Sequence, residues 1–375
     1  MLTIDRACRN CFYRVFRGRG EIGIVDEKDC KICFGLSGEI PRFVELAEEE
    51  LKGYEFDTFS VGTKIDYEIL EREDELRKTL NHNFKDIKTW LNRRIGEELE
   101  RRIGKRYVHT GYDVNVIIDT RFDHVTLQVK PVYIYGRYLK LIRGIPQTKW
   151  PCRICGGIGC RRCGYTGKQY PESVEEIIAK RALELFEGDG EAFHGCGRED
   201  IDARMLGNGR PFVLEINNPR RRKVDLRRLE EEINRYADGK VRVLNLRYSD
   251  KEEVRRLKEE EFVKVYRARI SSDREIDEGR LRESLSHLEG KIIKQKTPLR
   301  VSHRRANKVR EKKIYGCKLI WVKGKEALIE IRAESGTYIK ELVSGDEGRT
   351  KPSISEIMGS NCWVKELDVI AVEGD

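Results

Sequence analysis

Apolar residues recur along this chain with two periods, and the alternation between them divides it into segments. From Ile65 to Gly104 charged residues are interrupted by apolar ones at helical spacing, as in "ILEREDELRKTL" and "IKTWLNRRIGEELERRIG", which predicts long amphipathic helices. "DVNVIIDT" and "HVTLQVKPVYIYG" follow, with the every-second-residue pattern of strands. After about residue 169, helical stretches ("SVEEIIAKRALELF", "DLRRLEEEINRYA", "EGRLRESLSHLEG") are interspersed with strands ("PFVLEIN", "KVRVLNLRYS", "FVKVYRARISS", "KLIWVKG", "EALIEIRAES", "WVKELDVIAVEG"). Neighbouring strands without regular crossover helices predict a mainly antiparallel sheet flanked by helices. The class is therefore α+β.

Two cysteine-rich stretches punctuate this pattern. Cys8 and Cys11 form one C-x2-C pair, Cys30 and Cys33 a second, and Cys152, Cys155, Cys160 and Cys163 a compact C-x2-C-x4-C-x2-C array. Paired thiolates on tight turns suit a closed, tetrahedral, structural zinc site. The short middle spacing of the second array is expected to crowd a single ion. The divisions that follow are a zinc-binding segment at 1–37, an α/β module at 38–150, a second cysteine-rich segment at 151–168 and the largest domain at 169–375. Cys196, Cys317 and Cys362 stand apart as simple core or surface thiols.

Composition narrows the chemistry. With 375 residues the chain accommodates two or three domains. Its 74 basic and 65 acidic residues leave a net charge of +9, which favours an anionic partner. No apolar run approaches the ~20 residues of a membrane span, and the N-terminus lacks a signal-peptide core, so a cytoplasmic protein without membrane association is expected. A phosphate-binding G-x-x-x-x-G-K-[ST] loop, a dinucleotide-type glycine turn and H-E-x-x-H are all missing. The six histidines stand singly, and among them His303 alone is a candidate for a role near RNA. Carboxylates and basic runs remain. "PRRRKVDLRR" from Pro219 and "TPLRVSHRRANKVREKK" from Thr297 are candidate phosphate-binding segments. The stretch "HGCGREDIDARMLGNGRPF" at 194–212 sets two aspartates among four glycines and three arginines.

The motifs "SGTYIKEL", "GREDIDARMLGNGRPF" and "QTKWPCRICGGIGC" together resemble the archaeal and eukaryotic Pus10-type tRNA pseudouridine synthases, over essentially the whole chain. The resemblance implies an N-terminal zinc-containing, THUMP-type RNA-binding module and a C-terminal pseudouridine synthase domain. It also implies isomerisation of uridine at positions 54 and 55, in the TΨC arm of tRNA, without an organic cofactor. In the family's G-R-x-D turn Asp200 takes the place of the essential aspartate, with Asp202 as competitor. In K-x-Y, Tyr266 packs on the target base. In G-T-Y-I-[RK], Tyr338 is a pocket residue and Lys340 the aspartate's ion partner, a point charge where the related bacterial enzymes carry an arginine fork. "QKTPLRVSHRR" resembles a substrate-binding loop, and Ile357 or Met358 is expected below the base. A monomer is expected. A non-catalytic, zinc-containing tRNA-binding or chaperone protein also accounts for the cysteines and basic loops, but leaves these three motifs as coincidence. Another THUMP-bearing enzyme, such as a methyltransferase, needs a nucleotide-binding loop that is not found.

Overall fold

The structure, a computed structural model, describes residues 4–80, 82–304 and 306–374, with backbone alone at 303 and 304. It divides into two units. The first comprises residues 1–131 with 186–189 and 217–223, and the second the remainder.

In the first unit, strand β1 (Arg6–Cys8) pairs in parallel with β2 (Gly23–Val25), and helix α1 (Arg9–Phe16) starts directly on Cys8. Helix α2 (Ile40–Glu50) leads to β3 (Thr58–Lys64), then to helices α3 (Tyr67–Leu80) and α4 (Ile87–Ile103). The charged stretch that reads as helical is thus two helices. Asp86 caps the second by accepting from the Thr89 amide, and Gly104 ends it in the left-handed conformation. Strands β4 (Arg106–Tyr107), β5 (Val114–Asp119) and β6 (His124–Val129) complete a sheet of order β4-β3-β5-β6. Cys8, Cys11, Cys30 and Cys33 belong to the same apolar core as Phe43, Phe59, Leu91 and Val116. No boundary therefore falls at residue 37, because the cysteine segment and the α/β module share one interior.

The second unit is built on a 10-stranded sheet. Its strands are β7 (Val132–Lys140), β8 (Gly190–Gly195), β9 (Arg204–Asn217), β10 (Val241–Ser249), β11 (Lys264–Ser272), β12 (Ile292–Lys296), β13 (Val309–Lys323), β14 (Glu326–Ala333), β15 (Thr350–Lys351) and β16 (Cys362–Val372). The order is β10-β7-β9-β16-β11-β14-β13-β12-β15, with β8 against β9. All pairings given a register are antiparallel except the short β16–β9 contact. Helices α5 (Val174–Phe186), α6 (Leu226–Tyr236), α7 (Lys251–Glu259), α8 (Glu278–Leu288), α9 (Ile339–Ser344) and α10 (Ile354–Met358) connect or cover the strands. The expected division at residue 150 moves to 131, because β7 pairs along its length with β9 and β10 instead of ending the preceding module. No described helix is long and apolar enough to cross a membrane.

Candidate active site and metal centres

Four adjacent strands converge on one turn. Residues 196–203 link β8 to β9, and Gly197 within this turn has φ +70°, a conformation that side chains with a Cβ disfavour. Asp200 projects from the turn into a cavity of about 140 Å³ whose lining includes Arg210 from β9, Lys264 and Tyr266 from β11, Tyr338, and Lys340. The structure thus brings Asp200, Tyr266, Tyr338 and Lys340 together around one space.

Both Asp200 carboxylate oxygens face cations. Arg300 Nη1 lies 3.2 Å from Oδ1 and 3.0 Å from Oδ2, and Lys340 Nζ is 3.3 Å from Oδ2. Burial pushes this carboxyl upward, but the two cations outweigh it and hold it below the usual carboxylate range. Lys340 also contacts Asp202, at 2.7 and 2.9 Å. Asp202 is 68% exposed against 32% for Asp200, and it does not line this cavity. Burial raises the Tyr266 phenol to about 12, so the ring presents a neutral face. Burial, reinforced by Arg210, lowers Lys264 to about 8.

Arg300 is the residue that motif reasoning missed. It belongs to the basic loop following Gln295, and Glu341 orients it through a 2.7 Å bond to its Nε. Position 300 therefore supplies a guanidinium beside Asp200, through Nη1 alone, while its Nε and Nη2 face Glu341. Gln295 is almost fully buried and fixes the pocket tyrosine, accepting from the Tyr338 amide and donating to its carbonyl at 2.9 Å each. Ile357 and Met358 do not line the cavity. They end the short helix α10, whereas Val301, Ile339, Leu367 and Val369 form the apolar wall. The expectation for His303 concerns a side chain outside the described ones. The Pro219 run is engaged internally, with Arg221 on Glu187 (2.6 Å) and Lys223 on Asp57 (2.8 Å).

Beneath the turn lies a network of buried polar groups. Lys140, with no exposed surface, donates to the carbonyls of Ile145, Asp200 and Ile201 at 3.0, 3.0 and 3.2 Å. Arg210 donates to the Cys196 carbonyl at 2.7 Å, and Gln147 to that of Gly197 at 2.9 Å. Glu199 ties the donors together, meeting Arg210 Nε at 2.9 Å, the Tyr138 hydroxyl at 2.9 Å and Lys140 Nζ at 3.7 Å. Four carbonyls of the Asp200 turn thus end on buried side chains.

Both cysteine sets have the geometry of a four-coordinate site, each with its sulfur atoms all within 4.8 Å of one another. Tetrahedral ligation at about 2.3 Å requires sulfur atoms about 3.8 Å apart. The observed separations include 3.8 Å for Cys8–Cys33, 4.0 Å for Cys152–Cys160 and 3.9 Å for Cys155–Cys163. The first set is wholly buried, and the Ser37 hydroxyl lies 3.2 and 3.3 Å from Cys8 and Cys33 Sγ. The second is not crowded, because the intervening glycines turn tightly. A Cβ on Gly159, whose φ is +107°, would come within 2.8 Å of the Tyr165 carbonyl oxygen.

Residues 133–373 match the family model described as "Pus10, C-terminal", and residues 43–119 match "Pus10 THUMP domain, archaeal". A relative from Methanothrix thermoacetophila named tRNA pseudouridine synthase Pus10 is 45% identical over 93% of this chain and 78% of its own length. One of the same name from Archaeoglobus fulgidus is 44% identical over 97% of this chain and 99% of its own. Among solved structures, a Cbf5-Nop10-Gar1 complex chain is similar over 53% of this chain and 45% of its own, at 17% identity and a TM-score of 0.34. By its sequence relatives and by both family models, this chain belongs to the Pus10 family of tRNA pseudouridine synthases.

Proposed function

We propose that the chain isomerises uridine to pseudouridine at positions 54 and 55 in the TΨC arm of tRNA, as a cytoplasmic monomer, with Asp200 as the acting carboxylate. The observation that carries this reading is one cavity in which an ionised aspartate, held by Arg300 and Lys340, faces the ring of Tyr266. The reaction breaks the C1′–N1 bond, turns the uracil and joins C5 to C1′. A proton leaves C5 and N1 ends protonated, so the overall change is neither oxidation nor reduction and calls for no organic cofactor. Asp200 serves as nucleophile at C1′ or C6, or as base at the ribose, and each role requires the ionised form that its two cations favour. The uridine must leave its stack to reach the cavity. There the Tyr266 ring holds the detached base, a contact of the kind typically worth ~1–3 kcal/mol, while Leu367 and Val369 supply apolar walls.

The two cysteine sets fit zinc, with Cys8, Cys11, Cys30 and Cys33 holding one ion and Cys152, Cys155, Cys160 and Cys163 another. All four positions of each are protein ligands, which makes both sites structural.

Incubated with unmodified tRNA and no added cofactor, the wild-type protein is expected to form pseudouridine, read by mass spectrometry. Asp200→Ala should bind tRNA normally and form none, whereas Asp202→Ala should retain turnover. Loss in Asp202→Ala alone would move the assignment to that residue, and tRNA binding without modification by the wild type would favour a non-catalytic protein. The acid limb of the single-turnover rate should lie below the ordinary carboxylate value, since a lowered pKa keeps Asp200 charged as pH falls. Arg300→Met leaves burial less opposed and should move that limb upward by about one pH unit or more; an unmoved limb would show that the pair does not set the charge. Metal analysis of purified protein should find two zinc ions per chain, and correctly folded protein without zinc would contradict the assignment.

A further inference from the structure

The cysteine knuckle at residues 151–168 carries more than its four thiols need. Ile154, Ile158 and Tyr165 are 64, 93 and 74% exposed. These are large apolar surfaces on a turn that is closed by its cysteines and by a bridge between Pro151 and Lys168. The same eighteen residues contain Arg153, Arg161, Arg162 and Lys168 and no acidic residue. Lys168 is engaged by Glu176 at 2.7 Å. The three arginines have no carboxylate partner among the described residues, and unlike other unpaired surface arginines such as Arg235 and Arg255 they stand in a segment without a single acidic residue.

Ile154 shares one groove with Arg153 and Arg162. A groove of about 550 Å³ on the knuckle is lined by Arg153, Ile154, Arg162, Thr166, Lys168 and Tyr170. The chain enters the knuckle from Trp150, which lines a second cavity, of about 190 Å³, together with Asp200, Asp202, Arg300 and Lys340. The knuckle therefore begins beside a cavity that shares Asp200, Arg300 and Lys340 with the active cavity.

We infer that this knuckle is a second RNA-contacting surface, which grips tRNA next to the target uridine. It takes backbone phosphates on Arg153, Arg161 and Arg162, and bases or riboses against Ile154, Ile158 and Tyr165. The inference rests on the proposed reading of the Asp200 site as a tRNA-modifying centre. Unpaired guanidiniums bind phosphate through charge-assisted N–H donors, and an apolar, aromatic tip is what unstacked bases pack on. A protein partner would be expected to meet a tip whose arginines find carboxylates. A polyanion needs the acid-free surface that is present.

The test uses the full chain and an unmodified tRNA transcript, with the Kd measured across a series of KCl concentrations. The variants are Ile154→Ser/Ile158→Ser/Tyr165→Ser and Arg153→Gln/Arg161→Gln/Arg162→Gln. Both keep all four cysteines and alter exposed groups, and each is first checked for wild-type metal content and melting temperature. The apolar variant should weaken binding about tenfold or more at every salt concentration, with an unchanged salt slope. The arginine variant should reduce the slope of log K against log[KCl] by about 2, the counterions of three phosphate contacts. If one variant does not fold, the other decides. Wild-type affinity and slope in the folded variants would overturn the inference and leave the face to another macromolecule. Pseudouridine content of the wild-type reaction separates the two readings, because modification without any effect of the knuckle variants defeats only this one. A knuckle effect without modification defeats only the catalytic one.

Discussion

The hydrogen bonds from the buried ammonium of Lys140 to the carbonyls of Asp200 and Ile201 are the contact on which the rest of the site depends. An ammonium without solvent is costly, and burial does lower its pKa. It persists because three carbonyls and the Glu199 carboxylate surround it. The result is a turn whose backbone is held from below, so that the Asp200 carboxylate is presented at a defined place. Cations exceed carboxylates here. Lys140, Arg210, Lys264, Arg300 and Lys340 meet Glu199, Asp200, Asp202 and Glu341. That excess keeps Asp200 ionised, adds to the burial that lowers Lys264, and suits the approach of phosphate.

Sheet order explains how distant residues reach this point. Strands β7, β9, β16 and β11 are consecutive neighbours, and their register sets Tyr138 opposite Arg210 and Tyr266 opposite Val369. Alternation along each strand then places Lys140 on the same face as Tyr138, and Lys264 on the same face as Tyr266. One face of four strands thus supplies the supporting network and the cavity wall together.

Much of this was legible in the sequence. The alternating strands, the antiparallel sheet and the helices between them follow from periodicity. The G-R-E-D turn, K-x-Y and G-T-Y-I-K each carry their residue within a few positions, so sequence alone nominates Asp200, Tyr266, Tyr338 and Lys340, four residues that line one cavity. What escaped depends on long-range pairing. Glu341 orients Arg300, 41 residues earlier, and Lys140 meets Asp200 at a separation of 60. No local pattern marks such partners. The same limit misplaced the module boundary, since β7 reads as a final strand until β9 pairs with it. It also misplaced the apolar wall, because Ile357 follows the G-T-Y-I-K motif in sequence without reaching the cavity, while Leu367 and Val369 arrive on the strand next to β11.

The most direct test of this account is the rate of Lys140→Met. The substitution removes the ammonium but leaves Glu199 bonded to Arg210 and Tyr138, so the carboxylate keeps its partners. Single-turnover pseudouridine formation should fall about a hundredfold, the loss expected when a reacting group shifts by about 1 Å. The tRNA Kd should stay unchanged, and amide exchange should quicken across residues 198–203. A folded variant with wild-type rate and wild-type exchange in this turn would contradict the claim that the buried ammonium positions Asp200.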